Sequence, residues 1–154
     1  METTATAAAT LTLDGRPVPI AGQRNLLEVI RAAGIDLPTF CYHSELSVHG
    51  ACRLCIVEIE GRGVQASCSI VPEPGMVVRT HTPQLRRLRR TTLELLLANH
   101  DGDCPTCDKN RACRLQDLAR RLGLEEVRFR RTATRKPIDT AAPSLHRDPN
   151  KCVL

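Results

Sequence analysis

Seven of the eight cysteines in this chain, with one histidine, fall into two groups whose spacings tightly restrict how the chain can fold. Cys41 is followed after ten residues by Cys52, after two more by Cys55 and after twelve more by Cys68. Downstream, His100 is followed after three residues by Cys104, after two by Cys107 and after five by Cys113. If each set surrounds one centre, each demands a loop that turns back on itself. The eighth cysteine, Cys152, stands two residues from the end of the sequence with no nearby partner.

Clustered cysteines serve either disulfides or metals. A secreted chain with eight of them would read as a disulfide scaffold. The first ten residues argue otherwise: they are Thr- and Ala-rich, carry Glu2, and lack a basic start and a long apolar run, so no signal peptide is expected. No arginine of a transit peptide occurs before Arg16, and no apolar run approaches the ~20 residues that span a bilayer. A reducing cytoplasm is the expected compartment, and there clustered cysteines more often bind metal.

The first set offers four thiolates, a donor set that suits a two-iron cluster. The second offers three thiolates and one imidazole, which suits a four-iron cluster. Gly50 and Ala51, small residues ahead of Cys52, let backbone N–H groups approach bridging sulfides. Zinc is the rival. Cys52–Cys55 and Cys104–Cys107 together have the form of two C-x2-C pairs, and His100 with three cysteines is a complete knuckle set. Joining the two pairs leaves Cys41, Cys68 and Cys113 unexplained. The zinc reading would make the chain a zinc-stabilised, non-redox interaction module.

A length of 154 residues allows one domain or two small ones. Aromatic residues are only 2%, so the core must be built from Leu, Val, Ile and Ala. A core of this kind, divided between two units, is thin, and metal staples would then matter. The net charge is +5, and arginines concentrate in runs at 86–90, 120–121 and 128–131. These are read as solvated helix faces or as a dock for an acidic partner, with no nucleic acid expected. The sequence carries no catalytic triad, nucleotide-binding glycine motif or flavin signature.

The local pattern predicts a strand at Leu11–Leu13, a turn at Asp14-Gly15 and a return strand at Val18–Ile20. A helix follows, capped by Asn25 with Glu28 completing a capping box, burying Leu26, Leu27, Ile30 and Ala33 and ending at Gly34. Residues 41–55 are a long loop. Leu54–Ile59, Val64–Cys68 and Met76–Val78 are the remaining strands. A second helix starts at Thr82-Pro83, buries Leu85, Leu88, Thr92, Leu95, Leu96 and Asn99, and turns its arginines and Glu94 outward. It stops near His100. A short helix covers 114–122, closed by Gly123, and an extended linker follows Thr132.

Three stretches carry a resemblance: Gly34-Ile35-Asp36-Leu37-Pro38-Thr39-Phe40-Cys41-Tyr42-His43, Gly50-Ala51-Cys52-Arg53-Leu54-Cys55-Ile56-Val57-Glu58, and Asn99-His100-Asp101-Gly102-Asp103-Cys104-Pro105-Thr106-Cys107. Together they resemble the N-terminal iron–sulfur region of the large Fe–S subunit of bacterial complex I. NAD-reducing hydrogenase diaphorase subunits, FeFe-hydrogenases and NAD-dependent formate dehydrogenases share that region. The similarity covers roughly residues 10 to 154.

The resemblance implies an α+β chain. A β-grasp, plant-ferredoxin-like domain over 1–80 would hold a 2Fe-2S cluster through Cys41, Cys52, Cys55 and Cys68. A small helical domain over 81–131 would hold a 4Fe-4S cluster through His100, Cys104, Cys107 and Cys113. Residues 132–154 would be a linker and the truncated start of a further ferredoxin-like domain, which Cys152 alone does not complete. The implied role is electron transfer within an NAD(P)H-linked oxidoreductase, without a catalytic site of the chain's own. The implied partners are a flavin/NAD-binding subunit and a downstream catalytic or electron-accepting subunit or domain. The expected place is the cytoplasm, at the inner membrane only peripherally through a complex, with no direct membrane insertion.

Overall fold

A computed structural model describes residues 9–132 and 134–153. The N-terminal stretch read above for the absence of a signal peptide lies outside the described residues up to position 8. The chain divides into two compact units, residues 1–86 and 87–154.

The first unit is a five-stranded sheet with one helix. Its strands are β1 (Thr10–Leu13), β2 (Arg16–Pro19), β3 (Ile56–Ile59), β4 (Gly63–Ala66) and β5 (Val77–Arg79), and its helix is α1 (Leu26–Ala32). The sheet order is β2-β1-β5-β3-β4. β1 pairs with β5 in parallel, and the other neighbours are antiparallel. Asp14 and Gly15 both take positive φ, 48° and 82°, as a two-residue hairpin turn between right-twisted strands requires. The return strand starts two residues earlier than the sequence suggests, at Arg16, with its prolines on the sheet edge.

Leu26, Leu27, Val29 and Ile30 of α1 are fully buried against Leu11, Leu13, Val57, Ile59 and Val78 of the strands. Each such aliphatic side chain contributes about 2 kcal/mol on burial. Ala33, expected in this stripe, is exposed because the helix has already ended: Ala33 is its C-cap. Gly34, at φ 81°, then carries the chain away while its N–H bonds the Arg31 carbonyl at 2.9 Å. Asn25 caps the helix by accepting the Glu28 N–H at 3.1 Å. The reciprocal half of the capping box is not formed. Glu28 instead accepts the Arg24 N–H at 2.9 Å.

Helix α2 (Pro83–Asn99) starts as predicted, with the Thr82 hydroxyl accepting the Leu85 N–H at 3.2 Å. Its buried row is Leu85, Arg89, Leu93, Glu94 and Ala98. This corrects the expected stripe: Leu88 and Leu95 are exposed, and Arg89 and Glu94, expected outside, are buried. The row follows i, i+4 spacing through an arginine, which the apolar pattern alone passes over. Helix α3 (Arg114–Arg121) buries Leu115 and Leu118 and closes at Gly123. Beyond Thr132 the chain is more ordered than a linker. It forms a hairpin of β6 (Asp139–Ala142) and β7 (Leu145–Arg147), then a 3-10 turn at Pro149–Lys151.

Candidate metal centres

The loop from Phe40 to Cys55 lies between α1 and β3 and carries three of the four cysteines of the first set. Arg53 takes a left-handed conformation at φ 51°, as does Gly50 at 67°, and these two positions bend the loop around Cys52. The fourth cysteine departs from expectation in its element. Cys68 sits on a 3-10 turn, Ser67–Ser69, just past the end of β4, and not on the strand itself. That turn is pinned beside Cys55, because both the N–H and the hydroxyl of Ser67 bond the Cys55 carbonyl, at 3.1 and 2.7 Å. The Leu26 N–H, at the start of α1, bonds the Ile70 carbonyl at 2.8 Å and ties the turn to the helix.

The four thiols are brought together. The Cys52 N–H points at the Cys41 sulfur at 3.4 Å, and the Phe40 N–H and Thr39 hydroxyl lie 3.5 and 3.7 Å from the Cys52 sulfur. Cys52, Cys55 and Cys68 are buried and Cys41 is half-buried. Burial pushes the Cys68 thiol up to about 12, reinforced by Cys55, then Cys41 and Cys52. Burial likewise raises Cys41. Burial also pushes Cys52 upward, but the N–H groups of Leu54, Phe40 and Cys41 outweigh it and leave that thiol lowered. The raised Cys41 and Cys68 thiols resist ionising beside their neighbours. Metal ligation, which needs thiolates, supplies the missing positive charge. This donor set fits a thiolate-held cluster.

A shallow cleft of about 290 Å³ opens beside Cys68, lined by Arg24, Asn25, Val48, Ser69, Ile70 and Val71. Leu46, Val48 and Val71 are exposed nearby in sequence to these ligand segments.

In the second unit His100 follows the last residue of α2, and Cys113 is the N-cap of α3. Cys104 opens a 3-10 turn, Cys104–Thr106, and its carbonyl accepts the Cys107 N–H at 3.2 Å. Thus backbone bonding joins Cys104 to Cys107, while helix ends place His100 and Cys113. All four are half-buried. The His100 Nδ1 accepts the Gly102 N–H at 3.1 Å, so in the neutral ring the hydrogen is on Nε2. Ligation through either nitrogen would exchange this hydrogen bond. Three soft sulfurs with one imidazole fit an iron–sulfur group and also satisfy the ligand rules for zinc.

Among the described residues, no three His, Cys, Asp or Glu side chains converge on a single ion position. A two-iron cluster asks for two protein ligands at each iron and a four-iron cluster for one, so neither needs such convergence. Sequence reasoning does not identify the loop supports Ser67, Tyr42, Asp101 and Asn150, and it gives Glu28 only a capping role. Tyr42 adjoins Cys41 and is visible in principle, whereas nothing local marks Asn150.

The sheet-and-helix unit with its four gathered thiols defines an iron–sulfur module of the ferredoxin-like class. Residues 6–83 match the family described as 2Fe-2S iron-sulfur cluster binding domain, and residues 89–128 match the NADH-ubiquinone oxidoreductase-G iron-sulfur binding region. The chain belongs to the first of these families and carries the second region behind it, which gives it one 2Fe-2S and one 4Fe-4S cluster. It is similar to the mitochondrial 78 kDa subunit of NADH-ubiquinone oxidoreductase from Neurospora crassa, 37% identical over 93% of this chain and 20% of that protein. It is also similar to the mitochondrial NADH dehydrogenase [ubiquinone] iron-sulfur protein 1 from Solanum tuberosum, 43% identical over 76% of this chain and 16% of that protein. Among solved structures it is similar to a chain of an NAD+-reducing [NiFe]-hydrogenase in the H2-reduced state. The TM-score is 0.87 and the identity 41%, over 96% of this chain and 63% of that one. The chain spans about a fifth or less of the length of these two curated relatives. It is an iron–sulfur module whose relatives are named as parts of NADH oxidoreductases and of an NAD+-reducing hydrogenase. Among the described residues no helix is long and apolar enough to cross a membrane.

Proposed function

We propose that Cys41, Cys52, Cys55 and Cys68 hold the 2Fe-2S cluster, and that His100, Cys104, Cys107 and Cys113 hold the 4Fe-4S cluster. The observation that carries the first assignment is the gathering of four thiols, with backbone N–H groups directed at Cys41 and Cys52 and with Cys68 raised to about 12 by burial and by its three neighbours. The parallel β1–β5 pair at the centre of the order β2-β1-β5-β3-β4 supports a β-grasp, plant-ferredoxin-like reading of the first domain. The second domain is the helical 4Fe-4S domain.

The clusters supply one-electron transfer when bound. The chain's own residues fix the sulfurs, bury three of the first four, and direct N–H dipoles at Cys41 and Cys52. Such N–H groups favour the more negative, reduced state of a thiolate site and so tune its potential. Electrons pass between a flavin-bearing partner subunit that handles NAD(P)H and a downstream acceptor subunit or domain. The parent assembly is of complex I, hydrogenase or formate dehydrogenase type, working in the cytoplasm or at the membrane periphery.

The test is iron, sulfide and zinc content with EPR of the dithionite-reduced protein, prepared without oxygen. About six irons per chain, with two-iron and four-iron signals, is the expected outcome. Zinc with little iron would overturn the redox reading and leave a zinc-stabilised interaction module.

A further inference from the structure

Asp101 follows His100 directly and begins the segment that runs to Cys104. Its side chain is only 11% exposed, yet it receives two guanidinium groups, from Arg131 at 3.4 Å and from Arg135. Its backbone N–H bonds the Asn150 carbonyl at 2.9 Å. Asn150 is itself held on several sides. Its side-chain oxygen accepts the Lys136 N–H at 2.9 Å and an Arg131 N–H at 3.3 Å, and its amide donates to the Lys136 carbonyl at 2.8 Å. Asp148 caps the turn by accepting from the Asn150 N–H at 2.9 Å. The loop after His100 is therefore anchored by both backbone and side chain to a segment 30 to 50 residues later.

The family match for the second region ends at residue 128, before any of these partners. We infer that residues 131–150 are a strap belonging to the second cluster site, with Asp101 and Asn150 as positioning residues for His100. The inference rests on the assignment of His100 as a ligand. Gly102, two residues on with φ 69°, gives its N–H to the His100 ring at 3.1 Å, so the residue between them sets where that ring contact is made. The strap immobilises the next residue twice, through its amide and through two guanidinium groups on its largely buried carboxylate. Groups that orient metal ligands without touching the metal typically change affinity by about ten- to a hundredfold when removed.

The experiment uses the full chain, purified anaerobically, with Asp101→Ala, Asn150→Ala and Arg131→Ala compared with Asp101→Glu. The readouts are the EPR line shape and midpoint potential of the four-iron signal, and the rate of iron loss to a chelator. The three alanine variants are expected to shift the four-iron line shape and potential and to release that iron about tenfold faster. The two-iron signal should stay unchanged, and Asp101→Glu should restore part of the loss. A four-iron signal of unaltered shape, potential and chelator resistance in all three variants, with only the thermal midpoint lowered, would overturn the strap as a positioning device. Absence of any four-iron signal from the unaltered chain would overturn the ligand assignment itself and the strap with it.

Discussion

Tyr42, the residue after Cys41, donates its phenolic hydrogen to the carboxylate of Glu28 in the first turn of α1. The same hydroxyl accepts from the Asn25 amide at 3.0 Å, and the Arg31 guanidinium lies 5.5 Å from the ring centroid. One aromatic residue thus ties the thiol loop to the capped end of the helix. The Glu28 carboxyl is held below its usual range, first by the Tyr42 hydroxyl and then by the Arg24 N–H.

Tyr42→Phe removes the hydroxyl and keeps the ring under Arg31. Asn25, which is almost fully buried, loses an acceptor, while Glu28 keeps the Arg24 N–H. The expected cost is about 1 kcal/mol, because the group is partly solvated and one strong partner remains. Denaturant unfolding of the anaerobic protein measures it. An unchanged midpoint would show that the hydroxyl contributes nothing to holding the loop.

Glu94 gives a pH dependence of definite sign. Its side chain is fully buried and accepts from the Arg128 guanidinium at 2.7 to 3.2 Å and from the Arg128 backbone N–H at 2.6 Å. The Arg128 guanidinium holds the carboxyl below its ordinary range, and the Arg128 N–H adds to this. The folded pKa is lower than the unfolded one, so the stabilisation is complete above the unfolded value, about 4.3, and fades as pH falls through the folded value. Glu94→Gln should therefore be markedly less stable than the parent at pH 7, with the gap closing in more acid solution. A gap that is constant from pH 7 to pH 3 would assign the effect to packing.

Much of the frame around the first thiol set can be read from the sequence because its determinants are local. Cys52 and Cys55 are set by short-range spacing, Asp14-Gly15 turns the first hairpin, and Asn25 and Gly34 bracket α1 as their chemistry dictates. The misses arise where long-range partners or a polar residue in a buried row override the local pattern. Glu94 is polar and reads as solvent-facing, yet a residue 34 positions later neutralises it inside. Arg89 lies in the buried row between Leu85 and Leu93, where a hydropathy pattern sees a gap. The segment after Thr132 has no periodicity, and its order comes from a short hairpin, from Arg135 on Asp101 and from Asn150, bonded across 14 to 49 residues.

Cys55→Ala separates the two centres. Cys55 is fully buried, and its carbonyl anchors the turn bearing Cys68, so its backbone role survives the substitution while its sulfur is lost. Iron should fall from about six to about four per chain, with the two-iron EPR signal gone and the four-iron signal intact. Persistence of the two-iron signal would remove Cys55 from the ligand set.

His100→Cys probes the charge of the second centre. A neutral imidazole leaves the ligand shell one unit less negative than a fourth thiolate does. Reduction adds an electron, and it is easier where less negative charge is already present, the direction in which histidine ligation raises potentials at other iron–sulfur sites. The cysteine variant keeps a soft donor at the end of α2 and adds that unit of charge. Its four-iron midpoint should fall, by on the order of 100 mV, while the two-iron midpoint stays in place. Potentiometric titration followed by EPR resolves the two signals in one sample. An unmoved four-iron midpoint would mean that position 100 is not bonded to the cluster, because a ligand cannot change its charge without changing the electron affinity of the iron it holds.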